Sequence, residues 1–308
     1  MKSLIDLEFF PGHTRKAITF TIDDGNVKYD RRLLESVRPY GIKGTFNLYS
    51  SNMSYMSHSE YREFYKGYEI GNHCKYHPFI MVSDEKYEIK NEPFNLETAD
   101  EHFIYPDSRS EGLYFIKKPQ GWRSIATEDA YLRFIRESKE ELEEIFGKGS
   151  VKSYVWPFRG QNAPRVTEYL RKAGYTNSRI GASNGSFDMP TDRFKLYSNA
   201  SAAMLLNRAR EFSNLKDDGR LKLFIFGVHS HDFESAGNWE DLSEFCANYG
   251  NRKNEFYYAS LSEIFAYEDA KNSVKIESDK ICNPTDIDVY IKISGEEKIL
   301  KANSTIKF

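Results

Sequence analysis

The 308 residues suffice for one large barrel or two ordinary domains, each with its own core. Hydrophobic residues make up 40% and charged residues 29%, the balance of a globular chain and not of a disordered one. A formal net charge of −3 excludes a strongly basic nucleic-acid surface. Cys74, Cys246 and Cys282 lie too far apart for a disulfide framework or a paired-cysteine metal knot. The longest apolar run, Leu221–Val228, is too short for a membrane span. The first dozen residues carry charges and no apolar core segment, so the expectation is a cytoplasmic protein without a secretory signal.

Short strand patterns alternate with helical ones along the chain, which predicts an α/β fold with parallel strands. Ala17–Ile22 reads as the first strand and ends in the loop Asp23-Asp24-Gly25; a helix follows from an Asp30 N-cap, with Leu33, Leu34 and Val37 on one face and Gly41 beyond its end. Gly44–Leu48 is a strand, Ser59–Lys66 a short helix, and Tyr68–Asn72 a strand leading into His73. From about Ser83 to Arg123 the chain is polar and aromatic, with Pro93, Pro106 and Pro119 breaking any periodicity. So long an aperiodic stretch is either a functional lid or a structural collar.

Thr127 caps a long helix whose buried stripe is Tyr131, Phe134, Ile135, Ser138, Leu142, Ile145 and Phe146, ended by Gly147. Ser153–Trp156, Tyr175–Arg179, Leu221–Val228 and Glu255–Tyr258 read as strands, and Pro164–Ala173, Ala202–Phe212, Trp239–Tyr249 and Leu261–Glu268 as helices. From Ser273 onward Val274, Ile276, Ile281, Ile287, Val289, Ile291 and Ile293 alternate with polar residues, with a turn at Ser294-Gly295, which predicts an antiparallel β appendage.

Two clusters fall immediately after predicted strands, the position at which α/β barrels carry their active sites. In Thr21-Ile22-Asp23-Asp24-Gly25 two adjacent carboxylates crowd negative charge that a cation or a shared proton would relieve; a plain turn also explains Asp and Gly there. In His73-Cys74-Lys75-Tyr76-His77-Pro78 two histidines four apart can converge on one ion, although a hydrogen-bonded structural imidazole is the commoner fate of a single histidine. Together the clusters make a two-histidine, one-carboxylate set with an open coordination position, as in catalytic zinc sites.

In their order and setting, these two segments and the later run Pro157-Phe158-Arg159-Gly160-Gln161-Asn162 resemble the polysaccharide deacetylase family, the NodB-homology group of carbohydrate esterases. The resemblance spans roughly Lys16 to Glu268. It implies a distorted (β/α) barrel of about seven repeats at residues 13–268, with an insertion at about 83–126 and the small antiparallel β appendage at 273–308.

The implied activity is metal-dependent hydrolysis of N-acetyl, or O-acetyl, groups on a saccharide or glycoconjugate. Asp23 is the implied general base; Asp24, His73 and His77 hold a divalent metal, zinc first, with cobalt, manganese, nickel or iron as alternatives; His229 is the general acid. The Pro-aromatic segment walls the site, with Phe158 or Arg159 at the oxyanion, and Asp192 is the candidate that orients the acid histidine. His231 and Asp232 compete with His229, because strand alternation puts His229 and His231 on one side. The implied partner is the N-acetylated substrate, with neither nucleic acid nor membrane span.

The sequence departs from the family pattern at three points. Ile22 replaces an aromatic residue, Cys74 a hydroxyl residue, and the arginine that tethers the catalytic aspartate is missing: Val155 or Trp156 stands there, leaving Arg159 as the candidate replacement. Trp122 and Trp239 are sugar-stacking or core residues. Rival readings are an amidase acting on a non-sugar C–N bond, a non-catalytic carbohydrate-binding barrel, and a non-haem iron oxygenase with the same ligand types.

Overall fold

The computed structural model describes residues 5–81, 86–158, 163–182 and 185–307. Its centre is a parallel sheet of eight strands: β1 (Lys16–Asp23), β2 (Gly44–Leu48), β3 (Glu69–Asn72), β4 (Ser153–Val155), β5 (Asn177–Ala182), β6 (Leu196–Ser198), β7 (Lys222–His229) and β8 (Phe256–Tyr258). The order is β6-β5-β4-β3-β2-β1-β7. β8 pairs with the first half of β1, from Phe256↔Lys16 to Tyr258↔Ile18, and β2 with its second half, from Phe20↔Gly44 to Asp23↔Asn47. A bridge between Ala200 and Phe226 brings the β6 end against β7, so the sheet closes nearly into a distorted barrel.

Helices cover the outside: α1 (Val27–Val37), α2 (His58–Phe64), α3 (Glu128–Phe146), α4 (Pro164–Lys172), α5 (Leu205–Ser213), α6 (Asp232–Ala236), α7 (Trp239–Tyr249) and α8 (Leu261–Asn272). The long α3 starts at a Thr127 cap, whose hydroxyl accepts from the Ala130 N–H, and buries Tyr131, Phe134, Ile135, Ser138, Leu142 and Ile145 as its periodicity predicts. α1 starts differently from expectation. Its N-cap is Asn26, and Asp30 sits inside the first turn, fully buried. The Asp30 carboxylate accepts a 2.7 Å hydrogen bond from the Tyr65 hydroxyl and so has left its own helix's N–H groups for a tertiary partner.

The barrel interior is polar along period-two rows. Thr45, Asn47, Asn177 and Arg179 are all buried and alternate on β2 and β5, because inward-facing strand residues recur every second position. The apolar core lies between sheet and helices, where Ile18, Phe20, Ile22, Phe46, Phe224 and Phe226 pack against α1, α3, α5 and α7. Ile22 is part of this core, as its position in β1 requires.

The aromatic stretch after His77 is folded. Strands Phe79–Ile80, Gly121–Ala126, Leu113–Lys118 and Tyr105–Pro106 lie side by side in that order as a four-stranded sheet. Pro119 is a turn residue between the two long strands of this sheet, and Pro106 closes its edge strand, positions at which proline's missing N–H does no harm. After α8, strands Lys275–Ile276, Lys280–Asn283, Val289–Ile293, Glu296–Leu300 and Ser304–Lys307 form antiparallel pairings in two small sheets. One of the sheets also takes in Ile5–Asp6, which pairs with Lys292 and Ile293. That strand was not legible beforehand, since two residues carry no periodicity.

Candidate active site

The C-terminal ends of the barrel strands open into a cleft of about 1100 Å³ lined by Asp23, Asp24, His73, His77, Phe158, Arg179 and His229 among others. Asp23 ends β1, with Asn47 of β2 and His229 of β7 as its in-register neighbours. Asp24 turns the chain away with a φ of 77°, and Gly25 follows at 68°, where a Cβ would come within 2.7 Å of Leu48 Cδ2. Glycine is favoured at 25 by the left-handed conformation, and a side chain there would also have to displace the end of Leu48. Cys74, His77 and Phe158 also have positive φ, of 65°, 49° and 63°. Half of the eight such non-glycine residues among those described thus cluster at this one cleft. Each conformation costs on the order of 1–3 kcal/mol and persists only where the surroundings impose it.

Asp24, His73 and His77 converge. Asp24 Oδ1 lies 3.5 Å from Nε2 of each histidine, and the two Nε2 atoms are 3.0 Å apart. His73 Nδ1 faces the Val155 carbonyl oxygen at 2.8 Å. A nitrogen facing a carbonyl must carry the proton, so the Nε2 lone pair of His73 points into the cluster. Burial and the neighbouring His73 push the His77 imidazole down to about 3, against the pull of Asp24 and Asp23, so it is neutral and has one ring nitrogen able to act as a ligand. Burial disfavours the Asp24 carboxylate, but the neighbouring His73, with His77 and His229, holds it well below the usual carboxylate range.

Asp24 Oδ1 is buried with no hydrogen-bond partner. An ionised oxygen without a donor, facing two imidazole lone pairs, is the donor set of a divalent cation. The residues fit the metal that the sequence implies. His229, His231 and Asp232 form a second group of potential ligand atoms, but both of the Asp232 interactions described next tie that carboxylate to His229.

Asp23 is held by donors on both oxygens. Asn47 Nδ2 donates to Oδ1 at 3.0 Å, and the Arg179 guanidinium donates to Oδ2 in a short ion pair. Burial opposes ionisation of Asp23, and Arg179, His73 and His229 more than offset it, leaving the carboxyl below its ordinary value. Arg179 thus stands where the expected arginine was missing. Arg159, the candidate replacement, lies outside the described residues. Arg179 is also held to Thr21 Oγ1 at 3.3 Å. Gly227 makes room beside it, because a Cβ there would meet Ser198 Cβ at 2.6 Å and Arg179 Nη1 at 3.5 Å. The overlooked signal was a lone arginine at the end of a strand whose other inward positions are small and polar.

His229 points its Nε2 toward Asp24 Oδ2 at 3.8 Å, while its Nδ1 lies 3.1 Å from Asp232 Oδ2. The same carboxylate oxygen accepts from the His229 backbone N–H at 3.0 Å. Burial disfavours the imidazolium, but Asp232, Asp23 and Asp24 outweigh it and raise His229 to about 9. Asp192 does not reach this group: it accepts from Arg171 at 3.0 Å and from the Phe194 N–H at 2.9 Å on an exposed turn. The orienting carboxylate is instead Asp232, at the first position of α6, one helical turn from the histidine it holds. His231 also lines the cleft, its ring centroid 5.1 Å from that of His229.

Phe158 forms a wall. Its ring stacks on Phe79 at 3.7 Å with a 1° interplanar angle and meets His77 edge-on at 4.6 Å. Cys74 is fully buried, with burial pushing its thiol up to about 12, so it packs as a small apolar group. Trp239 is core, tilted against Phe233 and donating to Glu234 at 2.8 Å. Trp122 lines the cleft.

A sequence model of polysaccharide deacetylases matches residues 11–178. The chain belongs to the polysaccharide deacetylase family. It is therefore an enzyme, a hydrolase of carbon–nitrogen bonds other than peptide bonds. The matched stretch contains Asp23, Asp24, His73, His77 and Phe158, while Arg179, His229 and Asp232 lie beyond it.

Among solved structures, the chain is similar to the peptidoglycan deacetylase PdaC from Bacillus subtilis (17% identity, 84% of this chain and 95% of that chain, TM-score 0.44). It is also similar to a family 4 acetyl xylan esterase from Clostridium thermocellum in complex with a cobalt ion (15%, 82% and 92%, 0.46). A third is the chitin deacetylase from Colletotrichum lindemuthianum (15%, 80% and 86%, 0.44). No curated protein matches the chain.

Proposed function

We propose that the enzyme removes an N-acetyl group from an amino sugar in a saccharide or glycoconjugate, with a divalent cation, zinc first, held by Asp24, His73 and His77. The observation that carries this reading is the buried, unpartnered Asp24 Oδ1 at 3.5 Å from both histidine Nε2 atoms. A cation bound there supplies Lewis acidity toward the acetyl carbonyl and brings a water near ionisation at neutral pH.

The rest falls to the chain's own side chains. Asp23, kept ionised by Arg179 and oriented by Asn47, takes the proton of the attacking water as general base. A carboxylate has about four lone-pair sites, so the two donors leave room for that proton. His229, with Asp232 on its Nδ1, keeps Nε2 aimed into the cleft and delivers a proton to the departing amine, since an amide nitrogen leaves poorly without one. Phe158, stacked on Phe79 and edge-on to His77, walls the acetyl side.

The test combines metal analysis with acetate release from N-acetylated oligosaccharides. Asp23→Asn is expected to keep its metal and lose roughly 10²–10⁴-fold in rate. Asp24→Ala is expected to lose the metal. Undiminished acetate release by either variant would overturn the assignment, and a wild-type protein with neither metal nor product would be a binder instead.

A further inference from the structure

The hairpin that forms the middle of the four-stranded sheet, Leu113–Lys118 and Gly121–Ala126, carries Lys117, Lys118 and Arg123 and no acidic residue from 113 to 126. Among the described residues none of these three cations has a carboxylate partner, in a chain whose net charge is −3. Three arginines line the cleft: Arg109, Arg123 and Arg179. Arg109 is clamped on the buried Asp107 and Arg179 on Asp23. Arg123 has no carboxylate partner among the described residues; its Nη1 donates to the Trp122 carbonyl at 2.9 Å.

Register places Arg123 beside Lys118. Lys118 pairs with Gly121, Ile116 with Arg123, and cross-strand partners share a face, so Lys118 and Arg123 are diagonal neighbours on one side of the hairpin. Phe79 pairs with Ile125 on the adjoining strand, two residues from Arg123 and on the same face. Lys118 Nζ lies 5.2 Å from the centre of the Phe79 ring, Phe79 stacks on Phe158, and Phe158 on His77. Three consecutive contacts therefore join the cation pair to a histidine of the metal group. Opposite Lys118, Gly121 has no side chain, and the nearest atom to a Cβ built there is Arg123 Nη1 at 3.6 Å. Two like charges on neighbouring sheet positions repel, a cost that an anion between them would remove.

We propose that Lys118 and Arg123 hold an anionic group of the substrate, a carboxylate or a phosphate, so that the preferred substrate is an acidic N-acetylated saccharide and not a neutral polymer. The stacked Phe79–Phe158 pair supplies the aromatic surface for its sugar rings, and the two cations read the charge next to the ring that loses its acetyl group. This assignment rests on the deacetylase reading of the same cleft.

The test uses three N-acetylated probes: neutral N,N′-diacetylchitobiose, the N-acetylglucosaminyl-glucuronate disaccharide, and N-acetylglucosamine 1-phosphate. The wild type is expected to show a KM lower by about tenfold or more for a charged probe, an advantage that shrinks with added salt. The carboxylate and phosphate arms identify which anion is read. Arg123→Gln and Lys118→Gln are expected to abolish the advantage through KM, with kcat and the constants for diacetylchitobiose unchanged. Equal KM for neutral and charged probes, or variants that weaken the neutral probe as much, would overturn it. If no probe releases acetate, the deacetylase reading fails by itself. Calorimetric titration of the same probes still decides the charge assignment: tighter binding of a charged probe that Arg123→Gln removes supports it, and equal or absent binding overturns it.

Discussion

Glu69 and Asp24 are acids at opposite ends of the same barrel. Glu69 begins β3, and its oxygens accept from Thr45 Oγ1 at 2.8 Å, Ser153 Oγ at 2.7 Å, the Ser262 N–H at 3.3 Å and the Ser262 hydroxyl. The Ser262 N–H belongs to the first turn of α8, where unpaired N–H groups and the helix dipole favour an anion. Asp24 follows β1 at the other end, in a left-handed backbone conformation, with one oxygen buried and without a donor. At the lower end neutral hydroxyl and amide groups supply the donors that the Glu69 carboxylate takes. The upper end gathers Asp24, His73 and His77 with no donor on the Asp24 oxygen between them, and it carries the strained backbone. The same sheet thus spends its polar interior on stability at one end and on chemistry at the other.

Arg179 is where these two logics overlap, and its removal should have the largest effect. Arg179→Leu leaves Asp23 buried and unpaired, an expected loss of roughly 3–5 kcal/mol in stability together with a loss of acetate release. Denaturant unfolding and kinetics on the same sample check this, and Arg179→Lys should recover part of both. An Arg179→Leu protein as stable as wild type would mean that the ion pair holds nothing.

Glu69→Ala should separate the two ends. Unpaired donors cost about 1–3 kcal/mol each when they stay buried, so the melting temperature should fall by several degrees while kcat/KM and metal content of the surviving native protein stay unchanged. A specific loss of metal would break the contrast.

Asp232→Asn should lower the rate on the order of tenfold or more through the orientation of His229, with little change in melting temperature. Asp192→Asn, on its exposed turn, should leave the rate as it was. The reverse outcome would restore Asp192 to the role that the sequence suggested.

The last effect depends on pH and concerns Asp30, buried near Asp24. Burial, with the charge of Asp24, raises its carboxyl to about 7, against the hydrogen bond from Tyr65. Between the unfolded value of about 4 and 7 the folded state binds the extra proton, so this group's contribution is full below that window and is lost as pH rises through it. The shift corresponds to roughly 4 kcal/mol at most. Asp30→Asn, which keeps an acceptor for Tyr65, should therefore gain melting temperature relative to wild type on going from pH 5 to pH 8. A difference independent of pH would show that Asp30 is ionised throughout.

Much of the site was legible because its pieces are local. Asp23-Asp24-Gly25 and His73 through His77 are short segments at strand ends, and the strand before each segment is visible in period-two or apolar patterning. The helix α3 was legible for the same reason, with its cap, stripe and terminal Gly147 all within one stretch. Arg179 was not legible as the partner of Asp23, because an ion pair across 156 residues leaves no trace in spacing. Asp232 was visible as a neighbour of His229, but its role depended on the turn into α6, which five residues do not announce.

The chain's own order of residues determined the α/β alternation, the two loops that carry Asp24, His73 and His77, and the alternating tail after Ser273, since all of these follow from local propensity and periodicity. Only the closed barrel decided which carboxylate each cation serves, that the stretch after His77 is a sheet walling the cleft, and that Ile5–Asp6 joins the tail. The reason is geometric. Parallel strands bring together residues far apart in the chain, and their pairing is set by packing of the whole core, not by any segment within it.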